Sequence, residues 1–252
     1  MSETIDYTIP FRGELRAIAG VGSSVALASR HPEGLPTALF WINLGDDRPR
    51  SHGEDFPGGL AVVADGDAVW IAGTDGQVYR AGVDGPPKAV GPRFSEPPKA
   101  LALLSNDRLG VLEGREVKVL ARKGGKLVQT IELPEPGSVL ASDPSGRWLA
   151  VGTTGGLVAI FEAETSAEFV AGDSARLHEG EVSAILFERD DLRFFSAGAD
   201  MKLLSTHARG KLEPEDKGRA NNHADRITAM IWGPEDRLLT GGLDAAVKSW
   251  PR

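Results

Sequence analysis

The chain contains no cysteine in 252 residues. That alone excludes disulfides, thiolate metal sites and thiol nucleophiles, and it fits a reducing, cytoplasmic compartment. No apolar run approaches the ~20 residues that cross a bilayer as a helix. The first ten residues, Met1 to Pro10, have neither the basic stretch nor the apolar stretch of a secretory leader. Basic charge is in short supply as well: 28 Lys and Arg stand against 36 Asp and Glu, a net charge of −8. Such a balance disfavours a broad electrostatic footprint for nucleic acid or anionic lipid.

Motifs that carry chemistry are missing too. No Gly-x-Ser-x-Gly elbow and no His-x-x-x-His metal pair occurs. Gly20-Val21-Gly22 lacks the third glycine and the following helix of a dinucleotide loop, and Gly152–Gly156 is not followed by the Lys-Ser/Thr of a phosphate loop. His31 and His52 are isolated in turn-rich segments, and His207 stands beside Arg209 and Lys211; all three read as solvated surface. The expectation is a protein with no catalytic residue, no cofactor and no metal.

What is present is turn chemistry and repetition. Glycine is frequent, at 31 residues, with 16 prolines. The 41% hydrophobic and 25% charged content is ordinary for a soluble globular protein. Near the C-terminus three short apolar runs, Ile227–Trp232, Arg237–Thr240 and Ala246–Trp250, are separated by Gly233-Pro-Glu-Asp236 and Gly241-Gly-Leu-Asp244. Short runs broken by such turns predict a three-stranded antiparallel meander. His223 stands four residues before Ile227, Thr240 four before Asp244, and Trp250 six after it.

The same grammar recurs upstream. His178 stands four before Val182, Ser196 four before Asp200, and Asp200 lies 44 residues before Asp244, with Thr206 at the tryptophan position. A fourth copy, 137–161, keeps an Asp143-Pro-Ser-Gly146 hairpin but has Gly155 for the turn aspartate and Phe161 for the tryptophan. Three more, 99–120, 60–80 and 15–44, keep only the rhythm of strands and turns. A further strand is expected after each of the first five copies: Arg50–Phe56, Lys88–Phe94, Lys126–Leu133, Glu168–Leu177 and part of the polar stretch Leu212–Asn222. With six copies, 252 residues give 42 per copy, within the ~40–45 of a propeller blade.

The His…Ser/Thr…Asp…Trp spacing of residues 174–252 resembles the WD repeat. That resemblance implies an all-β chain folded as a single β-propeller domain over 1–252, with blade cores at 15–44, 60–80, 99–120, 137–161, 178–206 and 223–250. Six four-stranded blades are expected, the strand Thr4–Pro10 serving as the fourth strand of the last; the alternative is a fragment of a seven-bladed propeller. The resemblance assigns His178, Ser196, Asp200, His223, Thr240, Asp244 and Trp250 to structural hydrogen bonds that hold each blade together.

It also implies a non-catalytic scaffold, a monomeric disc that docks a protein or peptide partner, alone or as one domain of a larger multidomain protein. On the loop face the expected contacts are Glu179, Glu181, Ala199, Ala224, Arg226, Leu243 and Thr74, joined by the longer loop Ser29–Pro36. Two other classes compete. A metal-dependent propeller hydrolase or lyase needs carboxylates facing the channel, yet the inner strands read Leu60-Ala-Val-Val-Ala64, Ala100-Leu-Ala-Leu-Leu104 and Ile227-Thr-Ala-Met-Ile231. A nucleic-acid accessory domain would use Lys202, Arg209, Lys211, Lys217 and Arg219 as a local basic patch.

Overall fold

A computed structural model describes the backbone of residues 14–21, 24–30, 39–43, 50–52, 56–82, 85–163, 168–216 and 223–251, with side chains from residue 56 onward, Asp216 and Pro234 apart. The chain divides into two compact units, Met1–Pro97 and Pro98–Arg252. Within each sheet every described strand pairs antiparallel with its sequence neighbours, and among the described residues there is no α-helix.

The unit Met1–Pro97 holds two four-stranded meanders. The first comprises β1 (Glu14–Val21), β2 (Ser24–Arg30), β3 (Leu39–Asn43) and β4 (Arg50–His52). The second comprises β5 (Gly59–Asp65), β6 (Ala68–Gly73), β7 (Val78–Gly82) and β8 (Lys88–Val90). The innermost strands, β1 and β5, lie side by side. All six residues of β6 are buried, as expected of a strand covered on both faces.

The unit Pro98–Arg252 holds four meanders. Its first is β9 (Ala100–Leu104), β10 (Arg108–Glu113), β11 (Glu116–Ala121) and β12 (Leu127–Glu132). Next comes β13 (Gly137–Ser142), β14 (Trp148–Thr153), β15 (Leu157–Ala163) and β16 (Phe169–Arg176). The third is β17 (Val182–Phe187), β18 (Arg193–Gly198), β19 (Leu203–His207) and the two-residue β20 (Glu215–Asp216). The last is β21 (Ile227–Trp232), β22 (Leu238–Gly242) and β23 (Val247–Trp250), with a short 3-10 turn at Pro234–Asp236.

Innermost strands again lie side by side, β9 with β13, β13 with β17 and β17 with β21. Sheets stacked in sequence order with adjacent inner strands form a β-propeller arrangement. Apolar layers fill the gaps between sheets. Leu112, Val117 and Val119 meet Leu149, Val151 and Phe161; Ala150, Val158 and Ile160 meet Val182, Ile185 and Phe194; Phe195, Ala197 and Leu203 meet Ile227, Leu238 and Trp250. Burial is least at the rim: β14, the second strand of its sheet, is buried throughout, while the outermost β12 and β16 are mostly exposed. At the rim, Gln129 of β12 donates to the Phe169 carbonyl at 2.7 Å and accepts the Phe169 amide at 2.9 Å.

The expectation of six four-stranded blades is corrected. Five sheets have four strands, and β21–β23 has three. Among the described residues β23 has no partner on its outer edge; Thr4–Pro10, expected as a strand there, lies outside the described residues. The polar stretch after β19 pairs only through Glu215–Asp216. Its one large apolar residue, Leu212, is buried against Phe187 and Phe194 instead of extending the strand.

Candidate functional site

The two histidine sets sit at one end of the last two sheets, where the chain enters β17 and β21. His223 approaches Asp244 through Nδ1 at 2.8 Å and Thr240 Oγ1 through Nε2 at 2.8 Å, while Trp250 Nε1 donates to Thr240 Oγ1 at 2.9 Å. The Asp244 carboxylate only accepts, so His223 Nδ1–H donates to it and Nε2 is left to accept the Thr240 hydroxyl hydrogen, while Thr240 Oγ1 accepts the indole N–H. In the preceding sheet, His178 pairs Nδ1 with Asp200 at 2.9 Å and Nε2 with Ser196 Oγ at 2.9 Å.

Each aspartate also ties down backbone. Asp200 accepts the amides of Glu179 and Lys202, and Asp244 those of Ala224 and Ala246. Burial pushes the Asp200 carboxyl up, but the His178 hydrogen bond and these amides outweigh it and hold it below its ordinary value. Asp244 is drawn down to about 2, first by the His223 hydrogen bond and then by the Ala224 amide. Both histidine side chains are wholly buried, and so are Ser196 and Thr240. A triad that transfers an acyl group needs a nucleophile open to substrate; these hydroxyls face the interior.

Six of the seven expected partner contacts surround these networks in the unit Pro98–Arg252. Glu181 and Arg226, at matching positions before β17 and β21, form an ion pair at 2.7 Å. The Ala199 amide donates to the Glu181 carbonyl and the Leu243 amide to the Arg226 carbonyl, each at 2.9 Å. Ala199, Glu181, Arg226 and Leu243 therefore form one connected run across two sheets. Glu179 is exposed and pairs with Lys202 at 3.3 Å, and Ala224 is exposed beside Asp244. Thr74 belongs to the other unit, where its hydroxyl donates to the Pro57 carbonyl at 2.5 Å. Residues 31–36 of the longer loop lie outside the described residues.

The basic patch is not assembled as free charge. Lys202 is paired with Glu179, Lys211 with Glu213 at 3.3 Å, and Arg209 lies over the Trp148 ring at 5.7 Å. Lys217 and Arg219 lie outside the described residues, as does His31, and the side chain of His52 is not described. His207 is exposed, 3.2 Å from Arg193. Among the described residues no group of three His, Asp or Glu side chains is placed to hold a metal ion.

Two clamps at equivalent turns escape sequence reasoning. In the sheet β13–β16, Gly155 replaces the turn aspartate, and Glu135 does the tying: it accepts the Thr153 hydroxyl at 2.8 Å and pairs with Arg176, which also donates to the Gly155 carbonyl. The Arg176 and Thr153 hydrogen bonds hold the Glu135 carboxyl below its usual range. In the sheet β5–β8, the Tyr79 hydroxyl and the Arg93 guanidinium hold Asp75. The signal that finds the first clamp is an acidic residue between two prolines, Pro134-Glu135-Pro136, facing a turn without its own carboxylate.

Sheets arranged as blades, with polar networks closing their turns, define a β-propeller. Among solved structures the fold is similar to the crystal structure of the computationally designed Ika8 protein, with a TM-score of 0.71 and 17% identity over 94% of this chain and 70% of that one. No family model and no curated protein matches the sequence. Among the described residues no helix is long and apolar enough to cross a membrane.

Proposed function

We propose that the chain is a non-catalytic interaction scaffold of the WD-repeat kind, which docks a protein or peptide partner on the loop ends around His178 and His223. The observation that supports this reading is a division of labour. The groups with chemical potential are spent inside the sheets, while the connected run Ala199–Glu181–Arg226–Leu243 lies at the surface above them. Leu243 is an aliphatic side chain 64% exposed at the tip of a turn held by Asp244. A rigid loop with an apolar tip and a mixed-charge rim suits protein contact, since loops fixed by a scaffold carry recognition.

Affinity capture from source-cell lysate tests the proposal, with wild-type protein, Leu243→Asp, Glu181→Arg, and Val170→Asp on the outer strand as control. The expected result is a protein recovered by the wild type and by Val170→Asp and lost with the other two. Equal recovery by all four removes the loop-face reading. A stoichiometric divalent metal together with hydrolytic turnover replaces the scaffold with an enzyme.

A further inference from the structure

Two successive turns on the loop face share a three-residue pattern in which the large member changes place. In the sheet β17–β20 the turn reads Ala199-Asp200-Met201, and in β21–β23 it reads Leu243-Asp244-Ala245. Each aspartate is tied to its histidine and to nearby backbone amides. Each turn therefore holds one small and one large apolar residue on a fixed backbone. Neither large side chain is taken inside: Met201 is 39% exposed and Leu243 64%.

Met201 also stands where its backbone disfavours it. Gly76, Gly156, Met201 and Ala245 occupy one position in four turns, each amide donating to the carbonyl three residues back. All four have positive φ, 81°, 90°, 64° and 57° in that order. Glycine suits this conformation, and an L side chain strains it. Two of the turns use glycine, one uses the smallest side chain, and one uses a long thioether. Burial does not offset the strain at Met201, because the side chain is exposed. Strain that the fold itself does not use points to a use outside it.

A polar link joins the two turns. The Ala199 amide donates to the Glu181 carbonyl, Glu181 pairs with Arg226, and the Arg226 carbonyl accepts the Leu243 amide. Resting on the docking reading above, we infer that Met201 and Leu243 are paired apolar anchors for one peptide segment of the partner. That segment carries two apolar side chains, one for each turn, with polar residues between them over the Glu181–Arg226 pair. Methionine suits the first anchor, since an unbranched thioether adapts its shape to what it meets.

The test pans random peptides displayed on phage against the intact chain. A synthetic copy of an enriched peptide is then measured on the wild type, Met201→Gly, Leu243→Ala, Glu181→Arg and, as control, Val170→Asp. Enriched peptides should share two apolar residues with polar ones between. Met201→Gly should weaken binding about tenfold while its melting temperature rises by about 2–4 °C, because the strain leaves with the side chain. Trimming one of the peptide's apolar residues to alanine should cost about tenfold on the wild type and nothing further on Met201→Gly. Trimming the other should behave in the same way against Leu243→Ala. A peptide that needs Leu243 and Glu181 but binds Met201→Gly as it binds the wild type overturns the inference and leaves the docking reading standing. So does a melting temperature that fails to rise in Met201→Gly, since the side chain then serves its own fold. No enriched peptide, or only peptides indifferent to Leu243→Ala and Glu181→Arg, removes the docking reading and this inference with it.

Discussion

Trp250 and Thr206 hold the same place in successive sheets, paired across from Leu238 and Phe194, and only Trp250 finds a hydrogen bond there. The Thr206 hydroxyl is buried and has no partner among the described residues. A buried hydroxyl without a partner costs on the order of 1–3 kcal/mol, and a made hydrogen bond returns about 1 kcal/mol net. Thr206→Val, which keeps the shape and removes the hydroxyl, should therefore stabilise the protein by about 1 kcal/mol. Trp250→Phe, which keeps much of the ring and removes the donor, should destabilise it by about the same amount. Urea unfolding midpoints at constant slope would read both, and a stabilised Trp250→Phe would show that the relay to His223 adds nothing.

A second pair of equivalent positions makes opposite predictions. Gly156 and Met201 each follow the turn position held by Gly155 or Asp200, and both have positive φ, 90° and 64°. A side chain on Gly156 would run into the His178 carbonyl of the next loop, so Gly156→Ala should destabilise by more than 1 kcal/mol, roughly the cost of an L residue in left-handed backbone plus the displaced loop. Met201 already bears that backbone cost, and its side chain is exposed. Met201→Gly should gain about 1 kcal/mol. Thermal melts that move in the same direction for both would mean that Met201 has packing partners outweighing its strain.

The aspartates set an acid limit. Asp244 and Asp200 are both held below their ordinary value of 3.8, Asp244 at about 2. A lowered folded-state value means that the folded protein binds its proton less readily than the unfolded chain. The contribution is then complete above the ordinary value and is lost as pH falls from 3.8 through about 2. Asp244→Asn should flatten the stability curve across that interval while leaving its slope unchanged above it. A variant that keeps the wild-type slope in acid would assign the loss to other carboxylates.

Tyr79 sets a matching limit in base. Burial first, and the Asp75 hydrogen bond second, push its hydroxyl up from 10.0 to about 12. The raised value means that stability is intact below 10.0 and declines as pH climbs toward 12. The chain has two tyrosines, so the difference in phenolate absorbance between wild type and Tyr79→Phe isolates this one. A difference midpoint near 10.0 would show that Asp75 and the surrounding burial do not act on it.

The legibility of the fold varied along the chain for physical reasons. The strands of the last sheet match the sequence runs within a residue or two, because apolar runs and Gly-Pro or Gly-Gly turns are local signals. The His–Thr–Asp–Trp relay was legible through the resemblance to the WD repeat, whose four positions lie here within 28 residues. The Glu135–Arg176 pair was not, since its members are 41 residues apart, at the two ends of one repeat. Glu181 and Arg226 were expected at the surface one by one, but their contact spans 45 positions and needs the stacking of two sheets. Thr206 was legible as a lost tryptophan, whereas the unsatisfied hydroxyl left behind depends on what surrounds it.

The Gln129–Phe169 bridge has a mechanical consequence. The outermost strand of a sheet is ordinarily where fraying starts, because it has one neighbour and little burial. Gln129 presents an amide to Phe169 much as another length of main chain would, one donor and one acceptor to the same residue. Two outer strands that belong to different sheets are thereby stitched at the rim, so neither peels without straining the other. The pair should loosen as one hoop, its main-chain protons trading with deuterated solvent in step, and cutting the stitch with Gln129→Ala should let β12 and β16 keep separate time.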